Sequence, residues 1–167
     1  MQTEVKLRER GRTTVLARRV NVRVSEIGRV ISTSFGEVYG YLGAHDIPPA
    51  GEPFLIYHGM PGPFDAPFEV QICAPVARPV DPPQGWLLEE LPAGTFASIV
   101  HVGPYDSLGA AYDELEAWIP EHGYAIKGPP REAYLSEPET PPAETRTVVE
   151  FPVGLAESPV PVGSKGS

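Results

Sequence analysis

Two stretches decide the fold: GEPFLIYHG at 51–59 and GPPREAYLS at 128–136. Each runs from turn residues into a short, strand-like middle. They lie 77 residues apart (128 − 51 = 77), and that offset sets Tyr57 on Tyr134. The offset holds downstream, where Ala-Pro-Val at 74–76 falls on Phe-Pro-Val at 151–153. It also holds upstream: Ile31 meets Leu108, Phe35 meets Tyr112, Val38 meets Leu115, Tyr41 meets Trp118 and His45 meets His122. Single matches are cheap. A constant offset across a helix and two strands is much less so, and it reads as an internal duplication.

The elements follow from the repeat. Ile27, Val30, Ile31, Phe35, Val38, Tyr41 and Leu42 recur at helical spacing. Ser25 is the candidate N-cap of that helix, and Glu26 suits its first turn. Leu108, Tyr112, Leu115, Trp118 and Ile119 repeat the pattern, with Pro104 before the helix and Pro120 and Gly123 at its end. Strands are expected near 13–24, 53–58 and 68–75, then near 95–102, 130–136 and 145–152. Short strands near 4–9 and 86–91 extend the sheet. The loop at 60–67 and the segment 138–144 read as turns or connections.

Each half is thus strand, helix, strand, strand, and a helix with one apolar stripe needs a sheet beneath it. The expected fold is α+β: duplicated βαββ modules, about 3–76 and about 86–153, forming one mainly antiparallel sheet with two helices on one face. The midline between the helices is a natural groove at the pseudo-twofold. The whole reads as one domain over 1–153, with 154–167 as a disordered tail.

Composition narrows the function classes. The chain has 21 Pro and 17 Gly, which favours strands and turns over long helices. A formal net charge of −9 repels nucleic acid overall, although eight of the thirteen basic residues fall between Lys6 and Arg29. Those eight alternate with apolar residues as on solvated strand faces, and no nucleic-acid-binding signature accompanies them. One cysteine, Cys73, allows no internal disulfide and no cysteine metal cage. His45, His58 and His122 show no metal spacing, and His101, before a Gly-Pro turn, is expected to satisfy local backbone. No metal and no cofactor is expected. The N-terminus carries no apolar leader and no stretch is long enough for a membrane span, so a cytoplasmic protein without membrane contact is expected.

Within REAYL, strand alternation puts Glu132 and Tyr134 on one face and Arg131, Ala133 and Leu135 on the other. Arg131 is therefore not the partner that neutralises Glu132.

The second half, HVGPYDSLGAAYDELEAWIPEHGYAIKGPPREAYLSEP, resembles the GyrI-like small-molecule-binding domain. The same domain is the effector-binding half of some AraC-type and MerR-type transcription regulators. The matching residues are the turn with His101, Gly103, Pro104 and Tyr105; the helix with Tyr112, Leu115 and Trp118; Gly123; Gly128-Pro129; and Glu132 with Tyr134. Thr140-Pro141-Pro142, Thr145 and Pro152-Val153 complete the set, and the resemblance covers about 3 to 153. It implies a duplicated βαββ fold with a ligand groove at the pseudo-twofold and one acid reaching into an aromatic groove. Glu132 matches that acid.

The double module takes up almost the whole chain, so a stand-alone protein is expected, and the resemblance implies that it binds xenobiotics, lipophilic aromatic or cationic, through Glu132; Tyr134, Tyr57, Phe54, Phe96, Tyr105, Tyr112 and Trp118 are the candidate lining. Leu55 takes the place of Glu132 in the first half, so one wall should be acidic and the other apolar. Some stand-alone relatives are hydrolases that open reactive cyclopropanes. In that reading Glu132 activates a water, and Tyr57 or Tyr134 donates to the developing phenolate. A third reading is a protein-interaction role, as in gyrase inhibition, with the acidic surface meeting a basic protein partner. The histidines give no distinctive axial-ligand signal for haem.

Overall fold

The structure, a computed structural model, describes residues 3–60, 63–136 and 139–156. The chain forms β1 (Lys6–Arg10), β2 (Thr13–Val22), α1 (Val24–Ala44), β3 (Phe54–Tyr57), β4 (Phe68–Pro75), β5 (Leu87–Leu91), β6 (Gly94–Val102), α2 (Leu108–Glu121), β7 (Tyr124–Ile126), β8 (Arg131–Tyr134) and β9 (Arg146–Leu155). These strands make one antiparallel sheet in the order β1-β6-β9-β8-β3-β4-β2-β5, with β7 paired to β9. The α+β reading with two helices and a large antiparallel sheet is what the chain adopts. The tail expected from 154 is ordered at its start, where Gly154 and Leu155 pair with Ala125 and Tyr124; the rest of that expectation, from 157 on, lies outside the described residues. The strand at β7 has no counterpart in the sequence reading.

The sheet has to curl. β1 and β2 stand six positions apart in the strand order, so a flat sheet would separate them by roughly 29 Å at ~4.8 Å per strand. Yet Arg10 and Thr13 are three Cα steps apart, at most about 11 Å. β5 and β6 face the same constraint across Leu91 to Gly94. The two short links therefore roll the sheet into a half-barrel. They also exchange the first strands of the repeats, β1 pairing with β6 and β5 with β2, which ties the two halves together.

Both helices pack on one face. Ala111, Leu115 and Ile119 of α2 meet Ala97, Ile99, Val149 and Val153. Val38 and Leu42 of α1 meet Leu16, Leu55, Ile72 and Ala74. On the other face the curl closes over a smaller core of Val15, Ala17, Phe54, Ile56, Cys73 and Leu91. Burial there pushes the Cys73 thiol up to about 12, the mark of an inert structural cysteine.

The helix ends explain two conserved features of the repeat offset. His45 and His122 each bond through Nδ1 to the carbonyl four residues back, Tyr41 O at 3.0 Å and Trp118 O at 2.9 Å. Each imidazole also stacks on that same residue, at 4.2 Å and 4.0 Å between ring centroids. Each carbonyl also accepts the backbone N–H of the same histidine, at 3.2 Å and 3.1 Å, so the imidazole adds a second donor at the helix C-terminus. His122→Ala should lower the denaturation midpoint by an amount worth about 1 kcal/mol, with an unchanged m-value, in a urea titration. At the other end Ser25 is not the N-cap. The helix starts two residues earlier than that cap implies, with Arg23 at the cap and the Glu26 carboxylate accepting the Arg23 N–H at 3.2 Å. Ser25 instead donates through its N–H and Oγ to Asp65, at 3.2 Å and 2.5 Å, so a residue of the distant 60–67 loop anchors the first turn.

Candidate ligand-binding site

β3 and β8 are the two central strands, and Leu55 lies directly opposite Glu132 in their register. Because 55 + 77 = 132, these are also repeat partners, so the pseudo-twofold passes through this pair. A symmetric pair of acids here would bring two carboxylates to adjacent cross-strand positions, which is unfavourable. The chain keeps one acid and one leucine.

Glu132 is only 6% exposed. Three phenols donate to it: Tyr134 Oη to Oε1 at 3.0 Å, Tyr57 Oη to Oε1 at 3.2 Å, and Tyr112 Oη to Oε2 at 2.5 Å. Tyr57 and Tyr134 are the repeat-related pair on β3 and β8. Tyr112 comes down from α2, and its counterpart on α1 is Phe35, which has no hydroxyl. Among the described residues no basic side chain forms an ion pair with Glu132. Burial raises the carboxyl pKa, and the three phenol bonds pull it back towards the ionised form. The same burial, with the Glu132 charge beside them, lifts Tyr57, Tyr112 and Tyr134 far above the usual phenol range. All three stay protonated donors at any physiological pH.

The carboxylate forms the polar floor of a cavity of about 580 Å³ between the two helices. Ile27 and Ile31 of α1, Leu108 of α2, Phe68 of β4 and Met60 of the loop before it supply apolar walls. Tyr105, from a 3-10 turn at Tyr105–Ser107, stands at the mouth and meets Tyr134 edge to face at 5.9 Å. Its turn is held from below by buried His101, whose Nε2 lies 2.9 Å from Ser107 Oγ and 3.2 Å from Pro104 O. Asp106 of the same turn sits on the wall as a second, exposed carboxylate.

Of the eight lining candidates, Glu132, Tyr57, Tyr134, Tyr105 and Tyr112 border this cavity. Phe54, Phe96 and Trp118 do not. Phe54 and Phe96 lie on the opposite face of the sheet, where their rings flank the Arg131 guanidinium at 5.2 Å and 4.4 Å. Trp118 stacks on His122 and Tyr124 at the far end of α2. The sequence reading missed Phe68, Met60, Leu108 and Asp106 as wall residues. Phe68 was legible in principle, since it alternates with Val70 and Ile72 on the helix-facing side of β4. Among the described residues no group of three or more His, Cys, Asp or Glu could hold a metal ion, and no helix is long and apolar enough to cross a membrane.

Comparison with known proteins matches this architecture. The C-terminal domain of EcmrR superposes with a TM-score of 0.80 at 26% identity, over 92% of this chain and 98% of that one. EcmrR in a cryo-EM structure of its DNA complex gives the same score and identity, but this chain spans only 58% of that chain. A hydrolase from Listeria innocua (TM-score 0.67, 13% identity, covering 90% and 92%) shares the fold alone. So does SAV2435 bound to tetraphenylphosphonium (0.59, 14%, 91% and 94%). No curated protein matches the sequence. Residues 3–153 match the model of the GyrI-like small molecule binding domain, and the chain belongs to that family.

Proposed function

We propose that this chain binds lipophilic, cationic aromatic small molecules of xenobiotic type, with Glu132 as the charge anchor. The observation that carries the reading is a nearly buried carboxylate with three phenol donors and no basic partner among the described residues, at the floor of a mostly apolar cavity. Phenol dipoles ease the desolvation of a carboxylate but leave its full negative charge in place. A ligand cation supplies the missing counter-charge, and the tyrosine faces add attraction for it. The apolar walls then favour a greasy cation over a hydrated one such as an ammonium ion. Tetraphenylphosphonium, found on the distant relative SAV2435, is a suitable probe.

The test is thermal. At about 100 times Kd a ligand adds roughly 2.7 kcal/mol, which for a domain of this size raises Tm by about 5–10 °C. Tetraphenylphosphonium should produce such a rise, and neutral triphenylphosphine oxide should produce much less. Equal stabilisation by both would remove the charge from the argument.

A second reading, hydrolysis, draws on the raised carboxyl pKa of Glu132, which suits a general base. A water would lose its proton to Glu132 and attack the cyclopropane carbon, and the broken C–C bond's electrons would move to the phenolate oxygen. The three phenol bonds weigh against it, because they stabilise the ionised carboxylate and so weaken it as a base. Mass spectrometry of such a substrate incubated with the protein would reveal hydrolysis as the gain of one water. The DNA contacts of EcmrR belong to that longer protein, and a protein partner for this chain rests only on its acidic charge.

A further inference from the structure

The cavity above Glu132 does not end at its own walls. A second cavity, of about 1030 Å³, adjoins it and shares Ile31, Ser32, Tyr105, Asp106 and Tyr134 with it. Its other walls include Phe35, Gly36 and Tyr39 of α1, with Pro53, Pro104 and Pro142 opposite. The two form one trough along α1. On that helix Gly28, Ser32 and Gly36 fall four residues apart, so they make a single row along the α1 wall of the trough, with Gly28 in the first lobe and Gly36 in the second. The row from Gly28 to Gly36 is about 12 Å long.

Glycine inside a helix is unfavourable relative to alanine. Nothing in the protein requires it here, since a Cβ at Gly28 or Gly36 would meet no atom within 4 Å. The space these two residues leave open belongs to the trough.

We infer that the ligand is elongated: a cationic aromatic head above Glu132, and an extended apolar arm lying over Ser32 and Gly36 into the second lobe. This rests on the Glu132 reading for the head and adds the shape of the ligand.

Isothermal titration with alkyltriphenylphosphonium ions, from methyl to decyl and below their micelle concentrations, tests it. Each buried methylene tightens binding by up to about fourfold, so the decyl ion should bind the wild type at least about 30-fold more tightly than the methyl ion. Gly36→Leu projects a branched side chain onto the path of the arm while also favouring the helix, and it should flatten the series to within about threefold. A steep series that survives Gly36→Leu would overturn the proposal, because the arm would then lie elsewhere. So would a wild type that binds the methyl ion and gains nothing with length, an outcome that leaves Glu132 as the anchor. If no ion of any length binds, the anchor reading and the elongated ligand fall together.

Discussion

Glu132→Gln is expected to weaken binding of a lipophilic monocation by about 100-fold or more, while a neutral aromatic of the same shape loses little. Removing one partner of a buried charge pair typically costs about 2–5 kcal/mol, and a floor position only 6% exposed is at the end of the scale where the charge matters. The substitution is nearly isosteric. Gln can still accept from Tyr57 and Tyr134 through its oxygen, and its amide can donate to Tyr112 once that hydroxyl turns from donor to acceptor. The fold therefore has no reason to suffer. Without ligand the variant should be the more stable protein at neutral pH, because a buried, unpaired charge has gone. Calorimetric titration of tetraphenylphosphonium against both proteins, with thermal melts of each alone, reads both effects. A variant that binds the cation as tightly as the wild type would remove Glu132 from the role of anchor.

How much of this site could be read from sequence depends on the range of the signal. The constant offset of 77 exposed the duplication, and alternation within β8 put Glu132 and Tyr134 on one face and Arg131 on the other. Both are local or repeated patterns. Phe54 failed as a lining residue for a reason the same rule contains: it is three residues from Tyr57, so it must face the other way. Trp118 shares the apolar stripe of Tyr112, but six residues of helix carry it roughly 9 Å along the axis, away from the carboxylate. Composition could not have revealed that the Tyr112 hydroxyl reaches Glu132, because that contact depends on how α2 sits across the sheet. The exchange of β1 and β5 was equally hidden. The links at Gly11-Arg12 and Pro92-Ala93 are short enough to read as hairpins, and only the pairing of distant strands shows that they are corners of a half-barrel. Asp65 anchoring the start of α1 is a contact 40 residues long, with no local signature.

Affinity for the cation should rise with pH and then level off. Burial raises the Glu132 carboxyl pKa in the folded protein above its unfolded value of about 4.3, and a bound cation lowers it again by stabilising the charge. Below the raised value the free protein carries a proton that the ligand must expel. Affinity there should fall towards tenfold per pH unit, with one proton released on binding. Above it, affinity should be constant. Stability of the unliganded protein has the opposite trend from this one group. Its contribution is fully present below the unfolded carboxyl pKa and is lost as pH rises through the folded one, so the stability gap between wild type and Glu132→Gln should open across that window. Saturating cation should close it. Tyr112→Phe removes a bond that favours the ionised form, which should push the affinity midpoint to higher pH while leaving the plateau within reach. Calorimetry in two buffers of different ionisation enthalpy counts the released proton directly. A flat affinity from pH 4 to 8 would mean that Glu132 does not titrate against the ligand, and that the cavity recognises shape without charge.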